Sequence, residues 1–339
     1  MTVGCTLSAP LGGAMLAAPQ ALGALRWVHL EVSHQLQAPL SLEAPFALGA
    51  LYRSVFGLAL KQRSGAAFAL FFSGQDDAPR PWWWWPAEVG TATHLPAGAL
   101  LVSRLTLQDS ALEHLDACLA ALADFYTHGL GARRAPALLT NVRVLAPWGP
   151  VLLEDKEPPC WHADALWQAA EDEALGLHKA QAAQAEQGGQ AVCGVHVRAC
   201  TPLYLKEGGR ALRHAPTLQT LVRRSMGRAH LLLPAGTGAL VDWQDKMTWL
   251  DAVSSMAAQD VQLACVRVPR YSARQGRALH IDGVAGHWSY GPSALAVLPW
   301  LRLAEHLQLG GKTTLGFGTV QVTCGQICPD PGAIHRLIA

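Results

Sequence analysis

Near the C-terminus, the stretch LQLGGKTTLGFGTVQV (residues 307–322) places a lysine and two threonines inside a run of glycines. Gly310, Gly311, Gly316 and Gly318 let a backbone approach an anion that a Cβ would keep away, Lys312 adds a point charge, and Thr313 and Thr314 add hydroxyl donors. A phosphate-binding P-loop needs G-x-x-x-x-G-K-[ST], with a strand leading in and a helix leading out. Gly311-Lys312-Thr313 is present, but His306 stands at the first-glycine position. The flanks are also reversed, with a helical pattern before the loop and the alternating TVQV after it. Helix, loop, strand is the wrong order for a nucleotide hydrolase. Two readings remain: the loop grips another phosphate, or its glycines let a helix pack closely on a sheet.

A second stretch, RYSARQGR, carries Arg270, Tyr271, Ser272, Arg274 and Arg277. Arginine forks take phosphates in bidentate fashion and a tyrosine ring stacks on a base; the alternative is arginines tied to backbone carbonyls. The net charge of +1 hides a division: residues 1–190 hold 11 Lys and Arg against 17 Asp and Glu, residues 191–339 hold 15 against 8. Within 195–230, Arg198, Lys206, Arg210, Arg213, Arg223, Arg224 and Arg228 face Glu207 alone. This asymmetry suggests a polyanion partner for the second half, a solvated basic face being the other explanation.

The run WWWW between Pro81 and Pro86 suggests a base-stacking platform. Consecutive strand residues point to alternate faces, however, so at most two indoles share a surface. Core or domain-interface packing in an edge strand is the preferred reading. Eight cysteines show no C-x-x-C pair, which fits reduced thiols; Cys324 and Cys328 would make half a metal site that nothing completes. No metal or cofactor is expected. The chain has no uninterrupted apolar run long enough to span a membrane. Its apolar N-terminus lacks the basic segment of a secretory signal, so a cytoplasmic location is expected.

The elements that position these residues fall into two similar series. LRWVHLEVSHQL (25–36) alternates as a strand, PFALGALYRSVFGLALK (45–61) has helical spacing, FALFF and WWWW follow, and then come a strand (99–108), a long helix (111–129) and a strand (138–146). Further on are a strand (192–203), a helix (217–233), an inserted helix (241–259), paired strands (261–272 and 284–291), a helix (295–309) and the glycine loop with its strand. Each series reads as a ferredoxin-like βαββαβ unit. The expected fold is α+β, tandem ferredoxin-like (RRM-like) domains ending in a C-terminal glycine-rich loop. The expected boundaries are an apolar leader (1–24), a first domain (25–150), a partly helical Ala/Gln/Glu-rich linker (151–190), a second domain (191–325) and a tail (326–339).

This arrangement resembles the RAMP (repeat-associated mysterious protein) superfamily, and within it the CRISPR-associated endoribonucleases that process precursor CRISPR RNA. The resemblance rests on PFALGALYRSVFGLALK, FYTHGLGARRAPALLTNVRV, VRACTPLYLKEGGRAL, RVPRYSARQGRALHIDGVAGHWSYG and LPWLRLAEHLQLGGKTTLGFGTVQV, in that order over roughly residues 25–323. It implies RNA contact by the glycine loop, by the Arg270–Arg277 segment and by Arg198, Arg223 and Arg224. It also implies metal-independent cleavage in the repeat by attack of the substrate's own 2′-hydroxyl, leaving a 2′,3′-cyclic phosphate. The expected partners are CRISPR repeat RNA, as precursor and as mature crRNA hairpin, and other subunits of a class 1 effector complex. A non-cleaving crRNA-binding subunit is the alternative.

Such chemistry asks for a proton-transfer group and cations around the phosphorus. In many members of the family a histidine lies on or just before the first helix, and some members work without one, relying on arginines, lysine or tyrosine; helix 45–61 offers Tyr52, Arg53 and Lys61. The resemblance then points to His34 as general base or acid, Tyr52 as its partner, and Arg53 with Lys61 as phosphate clamps, with His280 and His287 in reserve. His29 suits packing.

Overall fold

The structure, a computed structural model, describes residues 18–73, 79–86, 92–153, 158–186, 193–272 and 277–326. Most of the expected leader and tail lies outside them.

The first domain opens with β1 (Arg26–Leu36), β2 (Leu40–Ser41), α1 (Leu48–Arg63) and α2 (Gly65–Phe72). It continues with β3 (Trp82–Trp85), β4 (His94–Leu95) and β5 (Leu100–Gln108), then α3 (Asp109–Leu112), α4 (Leu115–Ala123) and α5 (Phe125–His128). β6 (Ala137–Ala146) and β7 (Gly149–Leu152) complete it. Its antiparallel sheet has the order β3-β5-β1-β6-β7, in which β3, β5, β1 and β6 are the four strands of a ferredoxin-like unit. FALFF, assigned no element from the sequence, is helical, and the Ser64 hydroxyl caps α2 by accepting from Ala67 N at 3.1 Å. The expected long helix over 111–129 is three short ones.

β8 (Trp161–His162) and α6 (Ala163–Glu186) lead to the second domain. There β9 (Cys193–Leu203), a small hairpin of β10 (Lys206–Glu207) and β11 (Arg210–Ala211), α7 (Leu218–Leu232) and α8 (Trp243–Ala252) precede the long hairpin β12 (Gln259–Ser272) and β13 (Arg277–Tyr290). α9 (Leu298–Leu307) and β14 (Val320–Gln326) close the unit, with sheet order β12-β13-β9-β14. The ferredoxin-like order thus occurs twice, as the hydrophobic periodicities indicate.

The segment expected to be a linker is part of the second domain's packing. Trp167, Ala170 and Ala174 are buried along one face of α6, and Arg302 of α9 forks onto Glu173 at 2.6 and 3.0 Å. Its alanine and glutamine content misleads because small residues suit a close helix–helix contact as well as they suit a solvated spacer.

Tryptophans lock the domains together. Trp82 and Trp84 face the first core while Trp83 turns into the second, as strand alternation requires. Trp83 Nε1 donates to the His306 carbonyl at 2.9 Å, and Arg104 covers Trp85 at 4.6 Å. No indole of the run is left to stack on a base. The exchange is reciprocal, since Val268 and Ile281 of the long hairpin and Leu315 and Phe317 of the glycine loop are buried in the first core.

At the centre of this junction His29 Nε2 lies 2.9 Å from His306 Nδ1. Trp27 Nε1 donates to the same His29 nitrogen at 2.9 Å, Thr106 Oγ1 is 2.7 Å from His29 Nδ1, and the Trp161 ring centre is 4.4 Å from that of His306. Burial holds the His306 pKa down at about 3, helped by Arg104 and Arg302. Burial, then His306 and Arg104, also depress that of His29. Both rings are therefore neutral when folded but titrate near 6.5 when unfolded. As the unfolded chain binds more protons on acidification, stability falls once the pH drops below about 6.5, by roughly 2 kcal/mol per imidazole at pH 5. Urea unfolding at pH 7 and pH 5 measures this, and equal stabilities would refute it.

Candidate nucleic-acid interface

Leu48, Tyr52, Val55, Phe56, Ala59 and Leu60 bury one face of α1 against the first sheet. The N-terminal end of the helix meets the glycine loop: a Cβ on Gly49 would stand 2.2 Å from the Leu315 carbonyl oxygen. The loop holds this position through its own hydrogen bonds. Leu309 N donates to Gly318 O at 2.8 Å, Gly318 N to Pro202 O at 3.0 Å, and Gly311 N to Tyr204 O at 3.1 Å. Gly318 adopts φ +87°, and a side chain there would meet Leu309 O at 2.1 Å.

These contacts correct the expectation that the loop offers glycine N–H groups to phosphate. The N–H groups of Gly311, Gly316 and Gly318 are spent on protein carbonyls. Gly310 and Gly316 are glycines because Tyr204 O and Pro86 Cδ lie 2.5 and 2.7 Å from where a Cβ would be. Thr313 is likewise internal, buried and 3.3 Å from Arg228 Nη2. Arg228 itself sits over Trp83 at 5.1 Å and donates through Nε to Leu307 O at 3.1 Å. It anchors the loop where the carbonyl end of α9 favours a cation. Lys312 remains exposed, at φ +67°.

Arg53 joins the helix to the loop. Its Nε donates to Thr314 Oγ1 at 3.1 Å, and its guanidinium lies 5.0 Å from the Phe72 ring centre. Burial brings its pKa down to about 10, with two like charges, Arg270 and Arg80, adding to the effect. Arg270 reaches this place because Val268 and Ile281, paired across the hairpin, are buried in the first domain, and Arg270, two residues along the strand, faces the same way. Arg53, on α1, thus touches Thr314 of the loop, with Arg270 of β12 and Arg80 of the approach to β3 within its electrostatic reach.

Other expected site residues lie elsewhere. His34 is fully buried, with Nε2 3.0 Å from Leu122 O and its ring stacked 4.8 Å from Phe125. Burial pulls its pKa to about 4. Tyr52 is equally inaccessible, its ring 5.4 Å from that of Trp84. Neither can touch a substrate; both are core residues. Lys61 is exposed two turns beyond Arg53, its Nζ 5.8 Å from the Phe68 ring. Arg198 alternates with the buried Val197 and Ala199, and so lies on the sheet face away from α7 and α9. Arg223 is exposed on α7, and Arg224 donates to Lys206 O. Tyr271, Ser272 and Arg277 belong to the ends of β12 and β13, but their side chains, and all of Arg274, lie outside the described residues.

Two neighbours of the loop, Arg80 and Tyr204, were not singled out in the sequence, and a third, Arg228, was named only within the basic run. Arg80 precedes the tryptophans. Tyr204 sits against Gly311, within 3.0 Å of its would-be Cβ, with Lys206 Nζ 5.5 Å over its ring; an aromatic beside a lysine was the available signal. Arg228 was one cation among many.

The described residues thus form two ferredoxin-like units with a glycine-rich loop between last helix and last strand. Residues 197–320 match the family model described as CRISPR-associated endoribonuclease Cas6, in line with the resemblance drawn from the quoted stretches. Thermus thermophilus Cas6 is similar with a TM-score of 0.52 at 12% identity, over 88% of this chain and 99% of that one. A Cas6 product complex gives 0.52 at 16%, over 88% and 100%. A partial Cas6-RT-Cas1–Cas2 complex gives 0.59 at 13%, over 94% of this chain and 48% of that one. At such identities the likeness is one of fold. No curated protein matches the chain by sequence.

Proposed function

We propose that the chain is an endoribonuclease that cuts CRISPR precursor RNA within the repeat and yields crRNA. The reading is carried by the half-buried Arg53, held on Thr314 of the glycine loop with Arg270 and Arg80 in electrostatic reach, in a chain of which residues 197–320 match the Cas6 family model. A half-buried guanidinium fork beside the glycine loop suits the crowded charge of a pentavalent phosphorus. The substrate's 2′-hydroxyl loses its proton to solvent water, which also supplies the proton for the leaving oxygen, and the 2′-oxygen bonds to phosphorus. The bond to the 5′-oxygen breaks, that oxygen takes up a proton, and a 2′,3′-cyclic phosphate remains. The reaction calls for no metal. Lys312 supplies a further exposed cation on the same loop, and other Cas subunits join the product complex.

One observation favours a second reading, a subunit that holds crRNA without cutting it: His34 and Tyr52, the expected proton-transfer pair, are sealed in the core. Incubating the purified chain with a panel of repeat RNAs in EDTA, and mapping the ends, separates the two. Cleavage to a cyclic phosphate, blocked by a 2′-deoxy nucleotide at the cut, is expected. Tight hairpin binding with no cut in EDTA or in Mg²⁺ would select the second reading.

A further inference from the structure

The flank of α1 opposite the glycine loop opens into a concavity of 230 Å³. Leu51, Val55 and Leu58 give it an apolar lining, and Ser54, His128 and Arg134 supply polar groups. The spacing follows from the helix: residues 51, 55 and 58 share one stripe, and Arg53 lies on the far side of the exposed Ser54.

The polar side is held in place. Asp124 accepts both branches of the Arg63 fork, at 2.7 and 2.6 Å, tying the end of α1 to the turn before α5. His128 lies one helical turn beyond Asp124 and within its electrostatic reach. The following loop closes on itself, with Leu130 N to Ala135 O at 2.8 Å and Ala135 N to Leu130 O at 2.9 Å. Closing it this way leaves Arg134 at φ +50°, a left-handed conformation that a non-glycine residue adopts at a cost. Both Arg133 and Arg134 are exposed. A strained, exposed arginine and an exposed Leu58 in the apolar lining serve the fold poorly and suit a flat aromatic ligand well.

We propose that this cleft receives one unpaired base of the RNA strand whose backbone is gripped at Arg53. The inference rests on the RNA-processing reading above. Single-stranded RNA is recognised by splayed bases set against imidazole and guanidinium planes. Here the aliphatic lining takes one ring face, and His128 and Arg134 take its edge and the adjoining phosphate. A strand leaving Arg53 has a low saddle to cross, since Ala50 and Ser54 are the side chains between the two places.

The test uses the full chain and repeat RNA carrying 2-aminopurine at each single-stranded position in turn. One position is expected to change fluorescence on binding to the wild-type protein, and His128→Ala and Leu58→Ser each to abolish that change. Each variant, checked for an unchanged melting temperature, should lose about 5- to 100-fold in affinity, as expected for one stacked base. An abasic nucleotide at the same position should cost the wild type that factor and the variants nothing further. The subsite is overturned if no position responds, or if the variants bind as tightly as wild type while the RNA is still cut. Should the wild-type protein bind no repeat RNA, the RNA-processing reading falls, and the subsite with it.

Discussion

Gly49→Ala is expected to lower stability by about 1–3 kcal/mol and RNA cleavage by up to about 100-fold, although alanine is the better helix former. Inside a helix the exchange is ordinarily favourable by about 1 kcal/mol. At this position the new Cβ would lie 2.2 Å from Leu315 O and 2.8 Å from the carbon of that carbonyl, both backbone atoms with no rotamer to yield. Either α1 or the loop must move by about an ångström, which is overpacking at an interface that both cores share. Arg53 moves with the helix and Thr314 stays with the loop, so their contact is pulled apart, and displacements of this size cost about 10²-fold in a positioned reaction. Gly176→Ala in α6 is the control: a Cβ there meets nothing within 4 Å, and the same exchange should stabilise. Chemical denaturation and single-turnover cleavage measure both quantities. A Gly49→Ala protein as stable and active as wild type would show that the loop does not dock on α1 in solution.

Arg53→Ala is expected to slow cleavage by roughly 10²–10³-fold, the loss typical of one donor aimed at developing charge. It should also reduce the slope of log affinity against log salt by about one phosphate contact. Arg53→Lys should recover part of the affinity and little of the rate, since an ammonium supplies charge without the fork. Loss of activity through unfolding is not expected, because the side chain already pays for burial beside Arg270 and Arg80, and its removal relieves both. An unchanged rate with an unchanged salt slope would remove this arginine from consideration and return attention to the face of the second sheet that carries Arg198.

Much of the architecture could be read in one dimension, and the reason lies in what each signal reports. Alternation in β1 and a helical period over 45–61 are set by which face of an element meets a core, and that information is local, although it did not show that Tyr52 belongs to the buried face of α1 and Leu58 to the exposed one. The four tryptophans are the clearest case, since a period of two dictates that Trp83 oppose Trp82 and Trp84. The candidate site was legible only in part. Arg53, Arg270 and the Thr314 loop were named from the chain, but that Arg53 meets Thr314 was not, as the two are 261 residues apart. The glycines were rightly seen as permitting a close approach, yet what approaches is Tyr204, Pro86 and Leu309 rather than a phosphate.

Histidine was where sequence reasoning failed, for a physical reason. His34 and His128 carry the same ring, and nothing in their neighbours' identities states that the first stacks on Phe125 beneath α4 while the second lines a concavity. What the amino-acid order determined by itself was the repeated βαββαβ pattern, the basic second half and the loop between last helix and last strand. What the tertiary structure decided was which charged and aromatic groups share a space, because burial and proximity depend on how the two sheets interlock and not on the periodicity of either.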